Sequence, residues 1–129
     1  MRFSVAHLTM LVLVGLLFPL LGCGGPKEII VKGKVTYDGQ PVDNGQIIFI
    51  PKGEGKVSAG PITNGEFNFA APPGEMEVKI TATKELAKAA KDGLPNYVSY
   101  IPKKYNDETS LTATVEDKAE NTINFDLEK

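Results

Sequence analysis

The stretch Glu75–Thr83 alternates without a slip. Met76, Val78, Ile80 and Ala82 fall on one side, and Glu75, Glu77, Lys79 and Thr81 on the other. Successive side chains on a strand point to opposite faces, so period two gathers the apolar set on one face of a sheet. The pattern recurs along the chain. Ile29–Tyr37 sets Val31, Gly33, Val35 and Tyr37 against Lys32, Lys34 and Thr36. Glu66–Ala71 sets Phe67 and Phe69 against Glu66 and Asn68. Ser110–Glu116 repeats it with Leu111, Ala113 and Val115, and Asn121–Glu128 with Ile123, Phe125 and Leu127. Gln46–Pro51 holds Ile47-Ile48-Phe49-Ile50, apolar on both sides, which predicts a central strand covered on both faces. Val57–Thr63 is a weaker strand, broken by Gly60-Pro61.

Turn residues separate these segments. Asp38-Gly39, Asp43-Asn44-Gly45 and Asn64-Gly65 accept positive φ cheaply, and Asn-Gly is the strongest short-range hairpin signal. Seven strand segments in about 100 residues, punctuated every 8–12 residues, predict an all-β fold: a seven-stranded Greek-key β-sandwich. A domain of this size buries about two thirds of its unfolded surface, enough to stand without disulfides. The exception is residues 84–109. Lys84–Asp92 carries helix formers and a Gly93 stop, too short for a stable isolated helix, so a short helix leaning on the sheet or an irregular excursion is expected. Tyr97, Tyr100 and Tyr105 follow. A long excursion of this kind in a compact domain is functional or mobile.

Residues 1–22 differ in kind. Arg2 is the only strong positive charge before Lys27, and Leu8–Leu21 is uncharged and apolar. A basic start followed by such a run is the layout of a secretory signal peptide. The run ends in Leu20-Leu21-Gly22-Cys23, which resembles the lipobox of bacterial lipoproteins. That resemblance implies a diacylglyceryl group on the Cys23 sulfur and cleavage between Gly22 and Cys23, with acylation of the new amino group. Two or three acyl chains hold a protein firmly at a membrane, where one is marginal. The expected organisation is then 1–22 signal peptide, 23–28 flexible tether and 29–129 sandwich domain. With Gly24 rather than Asp after the cysteine, the resemblance implies an outer-membrane address where the cell has two membranes.

The body of the chain resembles small lipoproteins of planctomycete-type bacteria that carry a carboxypeptidase regulatory-like domain, a transthyretin-like (prealbumin-like) sandwich. The matching pieces are Val35–Val42 (VTYDGQPV), Ile48–Pro51, Thr63–Phe67 (TNGEF), Pro72–Val78 (PPGEMEV), Ile101–Tyr105, Thr109–Thr112 and Phe125–Leu127. The resemblance implies a non-catalytic module, since the domain that names the family sits beside a peptidase without performing its chemistry. Fold alone carries no activity.

Composition narrows the function further. Fourteen Lys+Arg against 16 Asp+Glu give a formal charge of −2, which offers no long-range attraction for nucleic acid. One Cys excludes an internal disulfide and a Cys-based zinc finger. The one His, His7, falls in the signal segment, and so does Arg2. A hydrolase of the kind that shares the transthyretin-like shape, which uses His and Arg and a Tyr-Arg-Gly-Ser-like end, is therefore only a remote alternative. The carboxylate pairs Asp107/Glu108 and Glu116/Asp117 sit in turns and read as solvated charge. Asp38, Asp43 and Asn44 match no calcium loop. No catalytic residue, metal site or cofactor is expected. Tyr97, Tyr100 and Tyr105 are the candidate contacts for a ligand or partner: exposed, they could stack on a sugar or anchor an interface, and buried, they cover one end of the sandwich. The expected function is a lipid-anchored, non-enzymatic module of the cell envelope that meets an envelope protein or a glycan. The alternative is a carbohydrate-binding module that uses the three tyrosines.

Overall fold

The computed structural model describes residues 28–129. Gly22, Cys23 and the expected signal segment lie outside the described residues. The described chain is an all-β sandwich of two sheets. Its strands are β1 (Ile30–Tyr37), β2 (Gln40–Pro41), β3 (Gly45–Pro51), β4 (Ser58–Ile62), β5 (Glu66–Ala70), β6 (Gly74–Glu85), β7 (Tyr97–Ser99), β8 (Thr112–Val115), β9 (Glu120–Thr122) and β10 (Phe125–Leu127). The seven expected segments are all strands. The last is split into β9 and β10, and β2 and β7 are short additions.

The first sheet is built around β1. The antiparallel partners β5 and β2 lie on one side, and β9 and β10 run parallel to it on the other. The second sheet is antiparallel throughout. Its order is β4-β3-β6, and the far side of β6 pairs with β8 near its start and with β7 near its end. The chain leaves β4 through the Asn64-Gly65 turn, enters the first sheet as β5, and returns as β6 on the opposite flank of β3.

The alternation read from the sequence decides what faces inward. Val31 and Val35 of β1, Ile47 and Phe49 of β3, and Met76, Val78, Ile80 and Ala82 of β6 are buried. Phe49 is the centre of the core. It reaches from the second sheet into an aromatic group of the first, with ring centroids 5.2 Å from Phe69, 6.4 Å from Phe125 and 6.5 Å from Phe67. Tilted and edge-on pairs at these separations suit aromatic quadrupoles. Ile48 and Ile50, expected to be covered as fully as Ile47 and Phe49, are only half-buried. Among the described residues no second layer lies over the outer face of β3, where Ile48 stands opposite Ala59 and Lys79 and Ile50 opposite Glu77 of the flanking strands.

No helix forms over Lys84–Asp92. Strand β6 runs on through Glu85, and its last residues pair with β7, Thr83 opposite Ser99 and Glu85 opposite Tyr97. That takes Lys84 and Glu85 out of the helix-forming stretch. The remainder is exposed apart from the half-buried Ala90 and offers no apolar stripe to the sheet, so little offsets the cost of nucleating a helix. The segment is an irregular excursion, apart from β7 and a single 3-10 turn at Lys103–Tyr105.

Candidate functional site

The strands give the sandwich two distinct ends. The chain reaches β1 at one end, beside the β3–β4 loop, the β5–β6 turn and the β8–β9 turn. There Ile29 O accepts from Ala71 N at 3.0 Å, and Ile30 N donates to Ala119 O at 3.0 Å. A shallow hollow at this end is lined by Glu28, Ile29, Lys56, Val57 and Pro72, among others. At the β8–β9 turn, hydrogen bonding and charge from Lys118 hold the Glu116 carboxyl below its ordinary value.

The opposite end carries three tight turns. Asp38, Asn44 and Asn64 all adopt positive φ there. The Asp43 carboxylate accepts from Asn44 N at 3.0 Å and from Asn64 N at 3.2 Å, which ties two of the turns together. The carboxylate is occupied by backbone donors of its own loops. Among the described residues, no group of three or more His, Cys, Asp or Glu side chains converges as metal ligands would.

The excursion also projects from this end, and it has two halves. Leu86–Asn96 closes on itself. Leu86 N donates to Asn96 O at 2.7 Å, Ala90 N to Leu94 O at 3.0 Å, and Leu94 N to the Asp92 carboxylate at 3.2 Å. This tip exposes Leu86 and Leu94, and Tyr97 stands at its base, 55% exposed. The second half, residues 100–109, packs along β6. Its central residue is Asn106, 8% exposed. The Asn106 amide donates to Ile80 O at 3.3 Å, Ile101 O at 3.4 Å and Pro102 O at 3.2 Å, while Oδ1 accepts from Asp107 N at 2.8 Å. Thr109 Oγ1 donates to Val78 O at 2.6 Å.

The three tyrosines therefore do different things. Tyr97 is exposed. Tyr100 is half-buried, its ring 5.9 Å from that of Tyr37, and its hydroxyl donates to Asp43 O at 3.3 Å. Tyr105 is half-buried too; its hydroxyl accepts from Glu128 N at 2.9 Å, and Lys104 Nζ lies 5.0 Å from its ring centroid. Tyr100 and Tyr105 tie the excursion to the sandwich, and the three rings form no common platform.

A third feature was not read from the sequence: an open groove of about 700 Å³ on the outer face of the first sheet. Its lining includes Lys34, Glu66, Asn68, Thr122 and Asn124, with Phe67 and Pro61 as the apolar part. Sequence alternation sets Lys34, Glu66 and Asn68 on the outward side of β1 and β5, but it does not show that such a face is concave.

No protein-family model matches the chain, and no curated protein matches it. Among solved structures, a DUF3823 family protein from Parabacteroides merdae superposes with a TM-score of 0.41 at 15% identity, covering 79% of this chain and 46% of that one. A 9R-lipoxygenase from Cyanothece superposes with a TM-score of 0.39 at 12% identity, covering 82% of this chain and 17% of the enzyme. This chain thus spans less than half the length of either protein. At TM-scores below 0.5, neither likeness says what this chain does.

Proposed function

We propose that this protein is a lipid-anchored, non-enzymatic module of the cell envelope, of the carboxypeptidase regulatory-like kind, held at a membrane through Cys23 and presenting the Leu86–Tyr97 tip to a partner. One observation carries the reading: the two ends of the sandwich are unequal. The chain enters β1 only a few residues after the Leu20-Leu21-Gly22-Cys23 motif, and residues 24–28 reach at most about 18 Å when extended. The end that holds Ile29 is thereby kept near the lipid. Three of the four large apolar side chains left exposed among the described residues, Leu86, Leu94 and Tyr97, stand at the other end, and the fourth, Val57, lies alone at the anchored end. Strand β1 alone separates the two ends by about 26 Å. Exposed apolar side chains on a rigid scaffold, grouped away from the anchor, suit a contact surface.

Palmitate labelling tests the anchor. The wild type is expected to take up label and Cys23→Ala to take up none; label in both, or in neither, removes the anchor. A sugar-binding reading gains more from the groove beside Asn68 and Asn124 than from the tyrosines, because the groove is open to solvent while the Tyr100 and Tyr105 rings are half-buried against the domain. Unchanged glycan binding in an Asn68→Ala, Asn124→Ala variant, or no glycan binding at all, ends that alternative.

A further inference from the structure

A sandwich leaves strand edges with unpaired N–H and C=O groups, and an unguarded edge is a template for another strand. Among the described residues, strand β4 pairs only with β3, but it contains Pro61, which has no N–H. Among the described residues, strand β5 pairs only with β1; it starts at a charged residue, Glu66, and stops just before Pro72-Pro73. Strands β9 and β10 carry Glu120 and Asp126 and are interrupted between Thr122 and Phe125. Strand β8 has none of these guards. It reads Thr-Ala-Thr-Val, with Ser110 and Leu111 before it, and among the described residues it pairs only with β6.

The direction of its free groups follows from the ladder. Val78 N donates to Leu111 O at 2.9 Å, so residues 111, 113 and 115 face β6. Thr112 and Thr114 direct their backbone N–H and C=O away from the sheet, and both are exposed. The edge is closed at Glu116. Asn121 Oδ1 accepts from Glu116 N at 2.9 Å, and Asn121 Nδ2 donates to Glu116 O at 3.0 Å. The open edge is therefore short and has a defined end.

We propose that this edge pairs with the same edge of a second copy of the chain, antiparallel and centred on Ala113. That register sets Thr112 opposite Thr114 of the other copy, twice. Within Thr112–Val115 it is the centre that gives all four outward backbone groups a partner. A two-fold axis perpendicular to the sheet keeps the outer face of each copy on the same side, so the threonines meet threonines and Leu111 meets Val115 in the layer below. No charge lies between Ser110 and Val115, so the pairing sets no like charges opposite one another, a juxtaposition that would be destabilising. The interface is small, and the association in solution is correspondingly weak.

Sedimentation equilibrium of the full chain in detergent, up to ~1 mM protein, tests this, since that range reads the weakest dissociation constants of interest. Wild type is expected to rise from one to two copies per particle. Thr114→Pro deletes an N–H that no bond within the described chain uses, and it is expected to stay at one copy with an unchanged circular dichroism spectrum. A second pair of variants leaves the backbone intact. Thr112→Glu, Thr114→Glu adds charge beside Glu75 and Glu77, and it is expected to weaken association at least tenfold. Thr112→Lys, Thr114→Lys is expected to stay at one copy when alone. A one-to-one mixture of the Glu and Lys variants is expected to recover two copies. The proposal is overturned by a wild type that remains single at ~1 mM, by charge variants that associate as wild type does, or by a mixture that fails to recover. None of these outcomes depends on Cys23, so the failure of the anchor and the failure of the pairing are separable.

Discussion

In each sheet an edge of an inner strand, β9 and β10 along β1 and β8 and β7 along β6, is covered in two pieces that leave a gap, and the two gaps are bridged by different means. On β1 the gap lies between β9 and β10. The register is the same on both sides of it, with Val31 opposite Asn121 and Val35 opposite Phe125, so no residue has been inserted. The backbone of Ile123 instead shifts over Gly33. Ile123 N still donates to Lys32 O at 2.9 Å, and the Asn124 side chain accepts from Lys34 N at 2.9 Å where a backbone carbonyl would otherwise serve. On β6 the gap runs from Val78 to Ala82, between β8 and β7. The carbonyls of Val78, Ile80 and Ala82 are taken by the Thr109 hydroxyl, the Asn106 amide and Tyr100 N. An asparagine bridges both gaps. The narrow one is closed by bringing two backbones together, and the wide one by packing polar side chains from a distant loop. Backbone groups in a sheet must be satisfied whether or not a strand lies beside them.

The narrow gap should be the more brittle. A Cβ on Gly33 would stand 1.7 Å from Ile123 O, and neither backbone can yield without breaking its ladder. Gly33→Ala is expected to lower stability by about 4 kcal/mol, at the upper end for overpacking. Urea unfolding of the full chain measures it; a loss under about 1 kcal/mol would mean that the β9–β10 step is free to move. Asn106→Ala tests the wide gap. It strips Ile80 O of its donor in a buried setting and leaves a small void, for a loss of about 3 kcal/mol. Asn124→Ala should cost less, about 0.5–1 kcal/mol, because the Lys34 N–H lies where water can replace the side chain. An Asn124 effect equal to that of Asn106 would erase the distinction between the two gaps.

The reason neither gap was legible in the sequence is physical. Period-two alternation reports which face of a strand is buried, and that was legible in Val31, Met76, Val78 and Ile80. It also placed the turns at Asp38-Gly39 and Asn64-Gly65. It says nothing about the edge direction, which lies in the plane of the sheet. Asn106 and Thr109 serve residues 26 and 31 positions earlier in the chain, and no local pattern links them. Gly33 was placed on the inward side, where it reads as a small residue in a core row; that a carbonyl occupies the missing Cβ position is a tertiary fact. The helix formers of Lys84–Asp92 were outweighed by the β6–β7 pairing. Two of the three tyrosines of the excursion hold it to the domain.

The smallest effect is expected at the tip, and it separates the two halves of the excursion. Leu86 and Asn96 continue the β6–β7 register and form the last bonded pair before the tip. Replacing residues 87–95 by Asn-Gly would close that pair with a two-residue hairpin turn. The bonds lost, Ala90 N to Leu94 O and Gly93 N to Ala90 O among them, all begin and end within the tip. Shortening the loop also lowers its closure entropy, by about 1 kcal/mol. The urea midpoint should therefore stay where it is or rise slightly, while Asn106 and Thr109 keep the edge of β6 covered. A fall of more than about 1 kcal/mol would show that residues 87–95 help to hold the β6 edge and that the excursion is one structural unit. An unchanged midpoint would leave Leu94 and its neighbours with no share in folding, which is the condition under which an exposed apolar tip is free to serve a partner.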